Sequence, residues 1–447
     1  MKEFRVAVVG AGPAGFYAAE HLLYAESLIV HVDMFERLPT PWGLVRAGVA
    51  PDHPKIKSVS SQFVEIATHP RYRLFGNVEF GRDVSREDLL SRYDALVYCV
   101  GARSERSLGI PGEDLPGSLA ASDFVGWYNG HPDMVSLAPD LSGTRAIVVG
   151  NGNVALDVAR ILLLPHDILR RTDIADHALA SLATSNIRDV TILGRRGPVQ
   201  AAFTTVELRE IVTMEGLEIA LDERQLVVPE FIDPAHARRA QRNLTVLQQA
   251  LTAASASNCS RRLSFGFLRS PIAISGRGRV ERIEVGINRL ERDEGQVRSV
   301  DTGEREVLPT DLVIRAVGYR GEALPGVAFD ERSGIIPNVG GAVAPDAREY
   351  VAGWIKRGPS GIIGTNRADA VETAERILGA LATTHSSAPS GQSTLDWLGR
   401  QCPKMVDHAS WLRIDRHETT LGQPANRPRV KLVTIGEMLA AARGPRL

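Results

Sequence analysis

Two glycine-rich turns, VVGAGPAG at 8–15 and VVGNGNVA at 148–155, carry the spacing in this sequence that speaks most directly of chemistry. In Gly10-x-Gly12-x-x-Gly15 the first glycine turns the chain tightly. The second lets backbone approach a pyrophosphate, and the third lets helix and strand pack closely. Gly150-x-Gly152-x-x-Ala155 keeps the first two and replaces only the packing position, where the general pattern accepts Gly or Ala. Each turn leads into a helix pattern whose unpaired N–H groups would face phosphates. The charges that follow differ. IVHVDMFE ends in Glu36, a carboxylate suited to a ribose diol, whereas DVTILGRR ends in Arg195 and Arg196. A carboxylate would repel a 2′-phosphate, and paired guanidiniums can bind one bidentately.

The surrounding elements fit these tasks. FRVAVVG (4–10) and TRAIVVG (144–150) are short apolar runs of the kind that form parallel strands buried on both faces. VALDVARILLL (154–164) is a helix pattern, and PHDILRRTDIADHALASLATSNI (165–187) reads as an extra helical insertion. PWGLVRAGVAPDH (41–53) reads as a long ordered loop, and such loops tend to be functional. A helix over about 55–68, a strand over NVEFGRDV (77–84) and a strand over YDALVYCVGA (93–102) follow. TDLVIRAVGY (310–319) reads as a strand that returns the chain to the first unit. GPSGII (358–363) opens a helix over 368–381, and a polar linker begins near 384 ahead of STLDWLGRQ and GEMLAAARG. Two turns of opposite charge preference imply FAD at the first and NADP(H) at the second, the two ends of one hydride transfer. Plainer readings exist for each part: a glycine turn can serve a structural βαβ unit, and an arginine pair can be a solvated strand end.

At 447 residues the chain suits two domains rather than one core. The 52 basic and 53 acidic residues leave a net charge of −1, which does not point to nucleic acid. Three cysteines, Cys99, Cys259 and Cys402, without a CxxC pair argue against a disulfide framework, a redox-active pair, a zinc site or an iron–sulfur cluster, so no metal ligand set is expected. No apolar run reaches the length of a membrane span, and a strand beginning near Phe4 leaves no room for a leader. The expectation is a cytoplasmic protein that does not enter a membrane.

VVGAGPAGFYAAEHLL, PWGLVRAGVAPDHPKIK, VGWYNGHPD, GNGNVALDVARILL, LGRRGPVQAAFTTVELRE and GWIKRGPSGIIGTN together resemble the adrenodoxin reductase family, in particular its bacterial NADPH–ferredoxin reductases. The resemblance runs from Phe4 to the RPRVKLV segment near 427–433. It implies FAD contacts at Ala14, Glu36, Leu44, Phe80, Trp354, Gly361, Ile362 and Ile363, besides Gly10, Gly12 and Gly15. It implies NADP contacts at Gly150, Asn151, Gly152, Asn153, Val154, Arg195, Arg196, Glu207 and Gly361. Vertebrate members tend to have Gln at the position of Asn151, an amide for an amide. The implied activity is hydride transfer from NADPH to FAD N5, then delivery of single electrons to a ferredoxin or similar small acidic iron–sulfur protein.

The expected fold is α/β, with two doubly wound dinucleotide-binding domains and the NADP domain (106–329) inserted into a discontinuous FAD domain (1–105 and 330–447). His53 and Glu207 are candidates for supporting roles beside the nicotinamide. Arg238, Arg239 and Arg242 in ARRAQR, together with Arg261 and Arg262, are candidates for docking the acidic partner. A flavoprotein subunit of a larger enzyme and a non-enzymatic NADP-binding redox sensor are the competing readings. Both predict a flavin, but neither predicts electron delivery by this chain alone to ferredoxin.

Overall fold

The computed structural model describes residues 2–226, 234–254, 259–293, 296–344 and 348–444. Strands β1 (Glu3–Val9), β2 (Ile29–Glu36), β3 (Tyr72–Gly76) and β4 (Ala95–Tyr98) supply four strands of a five-stranded parallel sheet. Its fifth strand, β16 (Glu349–Val351), comes from far downstream and pairs with β4, giving the order β16-β4-β1-β2-β3. Val6, Ala7 and Val8 are all fully buried, as both faces of β1 are covered.

A second parallel sheet lies between these segments of the chain. Its strands are β6 (Ser118–Ala120), β7 (Arg145–Val149), β8 (Asp189–Gly194), β9 (Leu217–Leu221), β10 (Arg261–Phe267) and β14 (Leu312–Arg315). They run in the order β6-β14-β7-β8-β10-β9. The insertion is therefore a complete doubly wound unit within another, as the sequence pattern implies. Two crossovers connect the sheets. They pair with each other as an antiparallel ribbon of β5 (Ser104–Glu105) and β15 (Tyr319–Arg320). The Glu105 carboxylate accepts from Ser122 N–H and Val317 N–H, both at 2.9 Å, so it ties the ribbon to the second unit.

Two readings of the sequence need correction. The segment 77–84 is a tight turn rather than a strand, and the strand lies earlier as β3. Asn77 and Gly81 have φ of 58° and 87°, which break an extended run, and Asp83 Oδ2 accepts from Glu79 N–H to close the turn. The second unit also carries an unanticipated antiparallel sheet of β11 (Arg269–Ser275), β12 (Arg282–Asp293) and β13 (Gln296–Pro309).

The C-terminal segment binds both units. Between the helices His408–Gly422 and Ile435–Arg443, Lys431 Nζ lies 3.3 Å from Asp173 and donates to Arg46 O and Asn129 Oδ1, each at 3.1 Å. Lys57 reaches the same Asp173 at 2.5 Å. Arg427 donates to Thr172 O at 3.0 Å, and Arg46 pairs bidentately with buried Glu418 at 2.8 and 2.6 Å.

Candidate active site

The first glycine turn has one task for each glycine. Gly10 has φ of 107°, and a Cβ there would lie 2.5 Å from Cys99 O at the end of β4. A Cβ on Gly15 would lie 2.2 Å from Gly10 O, so the helix can sit on the strand only without a side chain. Gly12 is open, its nearest neighbour being Gly43 Cα at 4.0 Å. It also heads the helix Pro13–Leu23 without a side-chain cap, leaving N–H groups for an anion. Glu36 accepts from Ala11 N–H and Leu38 N–H, both at 3.0 Å. A carboxylate has about four acceptor positions, so capacity for a ribose diol remains.

Other candidates gather at this turn. The loop carrying half-buried Leu44 is held by Trp42 N–H donating to Ala11 O at 2.7 Å. A Cβ on Gly353 (φ 80°) would lie 2.6 Å from Ala14 Cβ, so the downstream Gly353-Trp354 step rests on the first helix. Trp354 stacks at a tilt on Tyr319 with centroids 5.5 Å apart, and its buried Nε1 has no partner among the described residues. Gly361 and Ile362 are exposed, while Ile363 packs on the first core. They precede the helix Thr365–Ala382, whose N-cap, Gly364, offers no side chain. The Phe80 side chain is instead committed to the core, edge-on to Tyr98 at 5.5 Å.

The second turn repeats the construction. Gly150 has φ of 129°, and a Cβ there would lie 2.1 Å from Ala316 O at the end of β14. Nothing lies within 4 Å of the Cβ position of Gly152, and the helix Asn153–Leu163 starts there uncapped. Ala155 is fully buried and Val154 half-buried. Asn151 O accepts from Ala202 and Phe203 N–H at 3.0 and 3.2 Å, and Asn153 Oδ1 accepts from Thr204 N–H at 2.8 Å. Arg195 is exposed and Arg196 half-buried, and neither guanidinium has an ion-pair partner among the described residues. Burial and then the neighbouring Arg195 push the Arg196 pKa down, as expected of a cation awaiting a counter-charge.

The two remaining candidates meet where the units face each other. His53 Nε2 lies 3.5 Å from Glu207 Oε2 and 3.2 Å from Glu210 Oε2. Glu207 and Glu210 sit one turn apart on the helix Thr205–Val212, capped by Thr204 Oγ1. Arg160 donates to Asp52 at 2.6 Å and to Asp157 at 2.8 Å, locking the 41–53 loop to the Asn153–Leu163 helix. Its Nη1 lies 3.7 Å from Glu207 Oε2. Burial is the largest cause raising the Glu207 carboxyl, and it pushes Asp157 up to about 6 despite Arg160. The site can therefore hold or pass a proton near neutral pH. Asp52, Asp157, Arg160 and Glu210 escaped the sequence reading. The only signal was the i,i+3 spacing of Asp157 and Arg160, which is common on any helix.

The docking candidates separate. Arg238 and Arg242 are exposed and Arg239 half-buried on the helix Pro234–Ala254. Arg261 is spent on the carbonyls of Leu163 and Glu215, and Arg262 lies 3.7 Å from Glu218.

Residues 4–225 match the pyridine nucleotide-disulphide oxidoreductase family. The chain is 51% identical to the NADPH-ferredoxin reductase FprA of Mycobacterium tuberculosis, covering 99% of this chain and 100% of that one. It is 41% identical to the mitochondrial NADPH:adrenodoxin oxidoreductase of Bos taurus, covering 97% and 91% respectively. A solved structure of Mycobacterium tuberculosis FprA in complex with NADPH superposes with a TM-score of 0.95 over 99% of this chain and 100% of that chain, at 51% identity.

Proposed function

This chain belongs to the family of NADPH–ferredoxin and adrenodoxin reductases, and from that premise we infer how its own residues carry out the family's reaction. It is an FAD-containing NADPH–ferredoxin oxidoreductase. The observation that carries the division of labour is the contrast between two equally open, uncapped turns, one answered by Glu36 and the other by unpaired Arg195 and Arg196.

FAD is held by Gly10, Gly12, Ala14, Gly15, Glu36, Leu44, Trp354 and the Gly361–Ile363 segment, with Phe80 contributing backbone only. NADP(H) is held by Gly150 to Val154, Arg195, Arg196, Glu207 and Gly361. The open backbones of Gly12 and Gly152, the uncapped helix ends and the orphaned Trp354 Nε1 all suit such ligands. FAD bound there would supply the redox chemistry, hydride acceptance from NADPH and single-electron delivery. The chain's residues bind, orient and shield. Gly353 against Ala14 fixes Trp354 over the meeting of the two units. The Asp52–Arg160–Asp157 lock holds the 41–53 loop, which sets His53 and Glu207 at one point. Burial raises the Glu207 carboxyl above its ordinary value there.

We divide the chain as an FAD domain of 1–105 and 330–447 around an NADP domain of 106–329. Electron acceptors are of the ferredoxin type. A small acidic partner would meet Arg238, Arg239 and Arg242 on the NADP domain. No helix among the described residues is long and apolar enough to cross a membrane, and three free cysteines suit a reducing, cytoplasmic setting.

Steady-state turnover with NADPH against NADH, using ferredoxins as acceptors and cytochrome c as reporter, tests the reading. Flavin bleaching by NADPH, with cytochrome c reduced only when ferredoxin is added, is expected. A gently purified chain without flavin colour overturns it.

A further inference from the structure

We propose that His53, Glu207 and Glu210 form a binding site for a zinc-like divalent cation, placed where an ion would block hydride transfer. The three ligand atoms, one from each side chain, all lie within 4.8 Å of one another. His53 Nε2 stands 3.2 Å from Glu210 Oε2 and 3.5 Å from Glu207 Oε2. Zinc bonds nitrogen and carboxylate oxygen at about 2.0–2.2 Å, and a tetrahedral arrangement then separates adjacent ligand atoms by about 3.3–3.6 Å. The two separations from His53 Nε2 lie close to that value.

Two of the donors also lack any other occupation. His53 is 7% and Glu207 8% exposed, yet His53 Nε2 and Glu207 Oε2 have no hydrogen-bond partner among the described residues. A buried acceptor without a donor is costly, and a cation would satisfy both atoms at once. Arg160 does not do so, as its Nη1 is 3.7 Å from that oxygen and is itself without a hydrogen bond.

The donors are held in place before any ion arrives. Glu207 and Glu210 share one capped helical turn, and His53 follows Asp52, which Arg160 grips at 2.6 Å. Four carboxyl groups, Asp52, Asp157, Glu207 and Glu210, surround the one guanidinium of Arg160, so an arriving cation meets no excess of positive charge. An imidazole with two carboxylates and an open fourth position suits zinc-class ions and disfavours magnesium and calcium, which prefer all-oxygen shells. Glu210 is half-exposed, giving the ion an entry side. The inhibitory consequence rests on the reading above that this corner faces the nicotinamide. The binding claim does not.

The test is calorimetric titration of the FAD-loaded protein with Zn²⁺ alone, without NADPH. Saturable 1:1 binding is expected, weakened at least about tenfold in both Glu210→Gln and His53→Gln, since even an outer-shell change costs a metal site that much. Absence of saturable binding, or equal affinity in wild type and both variants, overturns the site. A second arm follows NADPH–dichlorophenolindophenol activity, which needs no iron–sulfur protein, with each variant's metal-free rate as its own reference. Zn²⁺ inhibition reversed by EDTA in wild type, and shifted to higher Zn²⁺ in Glu210→Gln, is expected. Zn²⁺ binding with undiminished turnover overturns the inhibitory role. A wild-type protein inactive with NADPH before any Zn²⁺ is added counts against the reductase reading instead.

Discussion

Arg195 and Arg196 stand side by side at the mouth of the second turn with no counter-charge among the described residues, an arrangement that repels itself until an anion arrives. Replacing either by Ala removes one charge-assisted contact, worth about 1.5–3 kcal/mol, so the KM for NADPH should rise roughly 10- to 100-fold per substitution. NADH lacks the 2′-phosphate, so its KM should barely move. Parallel steady-state kinetics with the two donors measure the difference, and an equal loss for both would remove the specificity role. Asp157 makes a separate prediction. Its folded pKa of about 6 lies above the ordinary carboxyl value, chiefly through burial. Between about pH 4 and pH 6 the folded chain therefore holds a proton that the unfolded chain has released. This contribution is fully present below the unfolded value and is lost as pH rises through 6. Asp157→Asn does not titrate and can keep its carbonyl on Arg160. The thermal midpoint of the variant relative to wild type should climb from pH 4 to pH 6 and level off above, and a flat difference would show that Asp157 does not hold the proton.

At the scale of the element, the two glycine turns make opposite demands at their third position. A methyl on Gly15 would lie 2.2 Å from Gly10 O, so Gly15→Ala should push the helix from β1, cost about 1–3 kcal/mol and lower FAD retention. Ala155→Gly should cost only about 1 kcal/mol through helix propensity and leave NADPH binding intact. Thermal midpoints and flavin content of the two variants give the comparison. The turns, their strands and the charges after β2 and β8 were legible because each is a local pattern with a fixed period. The misplaced strand at 77–84 was not, because Val78, Phe80 and Val84 are apolar for core packing while Asn77 and Gly81 take left-handed conformations. The sheet of β11 to β13 went unseen because its long strands are charge-rich and mix exposed with buried positions, without the continuous apolar run of a strand buried on both faces. Within the site, Asp52 and Arg160 meet across 108 positions of sequence, and Glu210 earns its place only by standing one turn from Glu207. The Asp52–Arg160 partnership belongs to tertiary structure, and a one-turn spacing such as Glu207 to Glu210 is too common on helices to announce a site.

At the scale of the whole molecule, the relative placement of the two units depends on the C-terminal segment as well as on the β5–β15 ribbon. Lys431 is fully buried between Asp173 of the inserted unit and the Arg46 backbone of the first, and burial drives its pKa well below the usual lysine range. Lys431→Met keeps the volume but leaves Asp173 with Lys57 alone. Breaking a buried pair costs about 3 kcal/mol, so the thermal midpoint of the FAD-loaded protein should fall by several degrees. An unchanged midpoint would show that Lys431 does not carry this tie, leaving it to Lys57, Arg427 and the Asp52–Arg160 pair.

The late arrival of β16 has a consequence for how the chain is made. All six strands of the inserted sheet lie between residues 118 and 315, so that unit can close before the outer one. The edge of β4 has no strand to pair with until residue 351 has left the ribosome. An open strand edge is the part of an unfinished sheet that invites pairing with other chains. The length of chain inserted between β4 and β16 thus governs how long the outer unit stays vulnerable during its own birth.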